Sequence, residues 1–233
     1  MVIALAILVL FPFILVLSLR EEWHKPFFYF ARFWGKMVLV LMGFRLKVKY
    51  LDQINWKQPS IIIANHASEI DIMTTLAIAK GTWLFIGKKE LAKFPLFGYF
   101  YKRTNILVDR SSPRSRREVY LRAKKKMDEG FGICIYPEGG IPDPSWRLVS
   151  FKPGAFRIAA ESGYPIIPIT FVDNKEKFPE EWSAGRPGTL RCVVHPPMYV
   201  NSEKDIDRLQ RDAYQIMAQT LREYNVDGKE ENK

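Results

Sequence analysis

Beyond residue 44 the apolar positions switch repeatedly between short strand-like runs and stretches with a helical period. Arg45-Leu46-Lys47-Val48-Lys49-Tyr50 alternates polar and apolar, as a half-exposed strand does. Ser60–Ala64 predicts a short buried strand and Ile70–Lys80 a helix. Trp83–Ile86 and Asn105–Val108 read as strands around a helical segment, Glu90–Lys102, that Pro95 interrupts. Pro113–Glu129 is a basic amphipathic helix, with Pro113 near its first turn and Gly130 at its end. A buried strand at Phe131–Tyr136 leads into a polar loop, Pro137–Ser150. Next come a helix at Ala155–Ser162, closed by Gly163, and strands at Ile166–Val172 and Thr189–Val194. Ser202 or Asp205 is expected to cap a last helix reaching about Tyr224, and Asn225–Lys233 reads as a frayed polar tail. The alternation predicts an α/β fold with a largely parallel or mixed sheet flanked by helices.

The first 44 residues break this rhythm. Met1 to Leu19 carries no charge and stops at Arg20-Glu21-Glu22. As a helix it would be about 28 Å long, close to the ~30 Å hydrocarbon layer of a bilayer. A cleaved signal peptide would carry its positive charge before the apolar run, and here the charge follows. Pro26–Phe44 is rich in Phe, Trp, Leu and Met, with Arg32 and Lys36 four apart on one face. That is the pattern of a helix lying among headgroups with its cations reaching out. An N-terminal membrane-binding helical segment is therefore expected over residues 1–44.

Charge points the same way. The 233 residues include 35 Lys or Arg against 25 Asp or Glu, a formal net charge of +10, which implies an acidic partner. No zinc-ligand spacing, basic heptad region or RNA-binding aromatic motif supports nucleic acid. An anionic membrane surface remains, and the positive charge after the first segment places the main body on the cytoplasmic face of the cell (inner) membrane. Cys134 and Cys192 lie in apolar runs and read as reduced core residues, with neither disulfide nor metal site implied.

The candidate chemistry sits at strand ends. Asn65-His66-Ala67-Ser68-Glu69-Ile70-Asp71 follows the apolar run directly. His66 suits proton transfer near neutral pH, and Asp71 can reach back across the first helical turn to hold one imidazole tautomer. The chain has no Gly-x-Ser-x-Gly nucleophile, so the attacking hydroxyl is expected to come from a substrate. The bland alternative is a helix start capped by Ser68 or Asp71, with His66 in the loop. A second cluster, Asp109-Arg110, ends another strand, and Arg110 offers a planar fork of donors for phosphate or carboxylate. The third, Tyr136-Pro137-Glu138-Gly139-Gly140, puts a lone carboxylate after a strand, beside glycines that permit close backbone approach. Ligands of open α/β sheets gather beyond the carboxyl ends of strands, so the three clusters are expected to line one site.

In this order the clusters resemble the glycerophospholipid acyltransferase family, in its PlsC-like 1-acyl-sn-glycerol-3-phosphate acyltransferase branch. Asn65, His66 and Asp71 match that family's Asn-His-x4-Asp block, and Arg110 ends the strand of its second. Tyr136, Pro137, Glu138 and Gly139 partly match the third block, and Ile166-Ile167-Pro168-Ile169 the fourth. Gly87-Lys88-Lys89-Glu90-Leu91, Pro95-Leu96-Phe97-Gly98 and Phe151-Lys152-Pro153-Gly154 also look familial. The resemblance implies an acyltransferase domain over residues 45–225, followed by the tail 226–233.

It implies transfer of a fatty acyl group from acyl-CoA or acyl carrier protein to the free hydroxyl of 1-acyl-glycerol-3-phosphate, giving phosphatidic acid, with no metal and no redox cofactor. His66 would be the base and Asp71 its orienting carboxylate. Asn65, Lys88, Lys89, Arg110, Glu138, Gly139 and Lys152 would serve substrate binding. Backbone N–H groups near Glu138-Gly139 or after His66 would stabilise the oxyanion. Gly140-Ile141 replaces the family's Thr-Arg, which leaves open another lysolipid acceptor such as an aminolipid. A non-catalytic lipid-binding protein and a hydrolase using Ser68 are the rival classes. His24 and His195 are expected to be structural or surface residues.

Overall fold

The structure, a computed structural model, describes residues 10, 12–95, 97–109, 111–181, 184–200 and 203–231. Seven strands form one mixed sheet: β1 (Phe44–Tyr50), β2 (Ile61–Ala64), β3 (Trp83–Lys88), β4 (Ile106–Val108), β5 (Gly132–Ile135), β7 (Ile166–Phe171) and β8 (Gly188–Val194), with β6 (Trp146–Leu148) outside it. Their order is β1-β8-β7-β2-β5-β3-β4. The five strands from β7 to β4 run parallel, β8 turns antiparallel to β7, and β1 follows β8. β2 lies between β5 and β7, which pair both of its edges, and helices cover both of its faces, so Ile61-Ile62-Ile63-Ala64 is buried throughout.

Alternate side chains feed two layers. Ile61, Ile63, Leu84 and Ile133 pack with Val119, Ala123 and Met127 of α4 (Pro113–Asp128), with α5 (Gly154–Ser162), and with Leu209 and Met217 of α7 (Ile206–Glu223). On the other face Ile62, Phe85, Cys134 and Ile167 meet Leu76 and Ile78 of α2 (Asp71–Ile78). Two short helices, α3 (Phe97–Thr104) and α6 (Asn174–Lys177), come after β3 and β7 respectively.

The inner side of α1 (His24–Leu41) joins the first layer through Phe27 and Phe28 and packs on Met73 and Ala77 of α2 through Val38 and Leu39. Phe27, Phe28, Gly35, Val38 and Leu39 are buried, and a Cβ on Gly35 would stand 3.1 Å from the Met73 carbonyl of α2. Its outer side carries an apolar stripe, Tyr29, Phe33 and Val40, each at least 61 % exposed, with Lys36 among them. Arg32 differs from expectation: it is half-buried, and its Nε is enclosed with no partner among the described residues. Residues 12–18 are also helical and set Phe13 against Phe30 of α1, at 6.2 Å between rings. Residues 1–9 and 11, most of the uncharged run, lie outside the described residues. No helix of the described residues is long and apolar enough to cross a membrane.

The expected polar loop and frayed tail differ from the structure together. β6 lies inside the loop Pro137–Ser150, and β9 (Lys229–Glu230) from the tail pairs with it in parallel. Arg147 donates to the Val226 carbonyl at 2.6 Å and bridges Glu230, while Ser150 donates to Glu231 through its N–H at 3.0 Å and its hydroxyl at 2.9 Å. These partners are some 80 residues apart in sequence, so no local pattern announces the ribbon.

Candidate active site

His66 follows the carboxyl end of β2, the strand between β7 and β5, and its side chain is 18 % exposed. Asn65 fixes the register of that exit: its Nδ2 donates to the Phe171 carbonyl at 3.0 Å, and its Oδ1 accepts from the Phe171 N–H at 2.8 Å. The amide thus extends the β2–β7 ladder by one side chain. Buried and doubly paired, Asn65 supports the site from behind instead of facing a ligand.

His66 Nδ1 lies 2.9 Å from Asp71 Oδ2. The same oxygen accepts from the Ala67 N–H at 2.7 Å and the Ser68 N–H at 2.9 Å, and Oδ1 accepts from Asn174 Nδ2 at 2.8 Å. Four donors therefore converge on a carboxylate with no solvent exposure, offsetting the cost of burying it. Because every other partner of Asp71 is a donor, the network assigns the proton to Nδ1 and leaves the Nε2 lone pair for a substrate. The ring is also held flat against Tyr136, with centroids 4.2 Å apart and planes 16° apart. The Tyr136 hydroxyl is anchored 3.0 Å from Thr75 Oγ1 of α2.

Glu138 reaches back to the same loop. Its Oε1 accepts from the His66 N–H at 2.6 Å, and its Oε2 from the Val149 N–H at 3.2 Å. Burial pushes this carboxyl up to about 8, against the opposing pull of those two N–H groups and of nearby Lys175. Lys175 Nζ donates to the Trp146 carbonyl at 2.7 Å and also to that of Pro144, so it braces the β6 loop. Gly139 adopts φ +84°, and its N–H closes a turn on the Tyr136 carbonyl at 3.1 Å. A Cβ there would run into the exposed side chain of Lys152, which lies across the turn.

Two expectations about donors change. The Ala67 and Ser68 N–H groups in the loop before α2 are spent on Asp71, and the Gly139 N–H on Tyr136, so these three are not waiting for an oxyanion. The cap also differs: Asp71 binds N–H groups that precede α2, a loop closure that points the imidazole. Ser68 is buried, and its hydroxyl donates to the Phe178 carbonyl, which removes it as a surface nucleophile. His195 is buried against Thr170 Oγ1 at 2.8 Å and plays a structural part.

The cationic candidates line the same sheet edge further along. Lys88 ends β3 and Lys89 follows it, two strand positions from β2, which places them on the order of 10 Å from it laterally. Lys89 Nζ is 3.9 Å from Asp109 after β4. Arg110 lies outside the described residues. Asn174 belongs to no motif in the sequence, although it too stands just past a buried strand, β7. Its Nδ2 also donates to Thr74 Oγ1 at 3.2 Å.

The comparisons with known proteins meet this geometry. The acyltransferase family model matches residues 45–172, more than half of the chain and all three polar clusters. The chain belongs to the acyltransferase family. Among curated members, a 1-acyl-sn-glycerol-3-phosphate acyltransferase of Haemophilus influenzae is 30 % identical over 176 residues, 73 % of this chain and 70 % of that protein. The chloroplastic 1-acyl-sn-glycerol-3-phosphate acyltransferase LPAT1 of Arabidopsis thaliana is 28 % identical over 200 residues, 84 % of this chain. The chain spans about half the length of that plant relative, 54 %. The crystal structure of PlsC from Thermotoga maritima, a 1-acyl-sn-glycerophosphate (LPA) acyltransferase, shares the fold. Its TM-score is 0.76 at 22 % identity, covering 98 % of this chain and 95 % of that one.

Proposed function

We propose that this acyltransferase moves a fatty acyl group from a thioester, acyl-CoA or acyl carrier protein, to the free hydroxyl of 1-acyl-glycerol-3-phosphate. The observation that carries the reading is the His66–Asp71 pair at 2.9 Å, with Nε2 left for a substrate proton. His66 takes the hydroxyl proton as the oxygen attacks the thioester carbonyl. The tetrahedral intermediate collapses by expelling the thiolate, and the proton on Nε2 passes to the departing sulfur. Asp71 stabilises the imidazolium between these steps. No covalent acyl-enzyme forms, in keeping with a Ser68 hydroxyl already donated to Phe178.

Lys88, Lys89 and Lys152 supply positive charge that would hold the acceptor phosphate, and Arg110 joins them on the strength of its sequence block alone. The exposed apolar stripe of α1 supports an enzyme seated on the membrane surface, where both lipid substrates partition. The replacement of Thr-Arg by Gly140-Ile141 favours one second reading, the same reaction on a lysolipid with another headgroup.

Purified protein in neutral detergent, given labelled acyl-CoA or acyl carrier protein and a panel of lysolipids, tests both readings. Acyl transfer should be fastest to 1-acyl-glycerol-3-phosphate, giving phosphatidic acid. A higher kcat/KM on a lyso-aminolipid would select the second reading, and no transfer to any acceptor would end both.

A further inference from the structure

A cleft of about 400 Å³, within the size range of ligand sites, opens at the end of the sheet opposite His66. It is lined by Lys102 and Arg103 at the end of α3 and by Arg122, Lys125 and Lys126 of α4. Its floor includes Leu84 and Ile106 at the amino ends of β3 and β4, together with buried His24 at the start of α1. β3 alone is six residues long, so about 17 Å of strand separates this cleft from the edge that carries His66.

Among the described residues no carboxylate lines the cleft. Lys126 pairs with Glu129 at 2.8 Å, and Arg103 is held over the Tyr99 ring at 3.8 Å. Lys102, Arg122 and Lys125 are exposed and have no ion pair among the described residues. Five like charges around one concavity repel each other, and an anion would relieve that repulsion.

The rim says what carries the anion. Leu19 lines the cleft and is 55 % exposed, continuous with Val16 and Phe13 of the helical turns 12–18. α1 then runs from His24 in the cleft to Leu39, which packs with Ile70 beside the catalytic Asp71. At about 27 Å, the helix bridges both ends of the sheet, and its outer stripe is apolar along the way. A bilayer meeting that stripe would touch the cleft and the active site together.

We infer that the cleft binds the phosphate headgroup of an anionic membrane phospholipid, a lipid that is not the acceptor, and so fixes the enzyme's orientation on the bilayer. The inference rests on the interfacial seating of α1 and not on the chemistry at His66.

The test measures binding of the full chain to vesicles of phosphatidylcholine alone and with one-third phosphatidylglycerol, at physiological salt. Each cation near an anionic bilayer is worth roughly fivefold in affinity, so K102A/R122A/K125A should bind the anionic vesicles about 100-fold more weakly. A control with the same charge loss on α5, α7 and the turn before it, R157A/K204A/R211A, should lose less than about threefold. The cleft variant should keep its acyl-transfer rate in neutral detergent, which also reports its folding, and H66A should keep vesicle binding while losing transfer.

Equal losses in the two triple variants would replace the site with diffuse attraction and overturn the proposal. So would equal binding of wild type to neutral and anionic vesicles. Glycerol 3-phosphate or coenzyme A displacing the protein from vesicles, through a site lost in the cleft variant, would reassign the cleft to a soluble phosphate. Should the triple variant not fold, the single charge reversal Lys125→Glu carries the same comparison, with Arg211→Glu as its control.

Discussion

At the carboxyl ends of β2, β5 and β7 one buried carboxylate gathers four donors, whereas at the amino ends of β3 and β4 five cations surround an open cleft. The first arrangement is directional. Each bond fixes an angle, and removal of any member leaves a buried group unpaired. The second is additive: exposed charges act over about 10 Å, weaken with salt, and substitute for one another. Proton transfer needs the former and adsorption to a surface needs only the latter. One sheet would keep the two proposed tasks apart by its length.

The sharpest way to break this contrast is at the directional end. His66→Ala should lower kcat by at least about 10³-fold while the melting temperature stays near wild type, and Asp71→Asn should fall comparably. Parallel activity and thermal unfolding measurements check both. Near-normal transfer in either variant would end the base assignment.

Asn65→Ala should cost about 2–4 kcal/mol in denaturant unfolding, because it leaves both backbone groups of Phe171 unpaired in the core. A cost below about 0.5 kcal/mol would mean the side-chain rung is not needed to hold β2 on β7. Asn174→Ala removes one of the four donors to Asp71 and should lower kcat about 10- to 100-fold with little change in KM.

The smallest effect is a slope. Glu138, at about 8 in the folded protein against an ordinary 4.5, keeps its proton where the unfolded chain has lost it, so its contribution to stability falls as pH rises. Buried His195 is depressed from 6.5 to about 4, mainly by burial, so its contribution rises with pH up to about 6.5. The two oppose each other below pH 6.5, and above it only Glu138 remains. Unfolding free energy should then drop by roughly 1 kcal/mol per pH unit from 6.5 to 8, and Glu138→Gln should flatten that segment.

What the sequence made legible divides along a similar line. His66 and Asp71 are five residues apart and meet within one loop, so spacing sufficed to pair them. The buried runs of β2, β5 and β7 were equally readable, since strands covered on both faces are continuously apolar. Asn174 is 103 residues from Asp71, and only the shared topology of β7 and β2 joins them. The rule that finds the other clusters, a polar residue just past a buried parallel strand, applies to it as well. The aromatic content of α1 does not say which side packs, because a helix with a buried inner side and an exposed apolar stripe is apolar nearly all round and shows no single dry face. β6 and β9 escape because charged side chains, not apolar period, hold them together.

That ribbon has a practical corollary. Val149 donates its N–H to Glu138, which in turn receives that of His66, while Ser150 next door is tied to Glu231. The stretch that looks most dispensable is thus mechanically linked, through three residues, to His66, the proposed base. An affinity handle or a trimmed end placed there would slacken the imidazole's mounting, and turnover would register the change before any melting curve did.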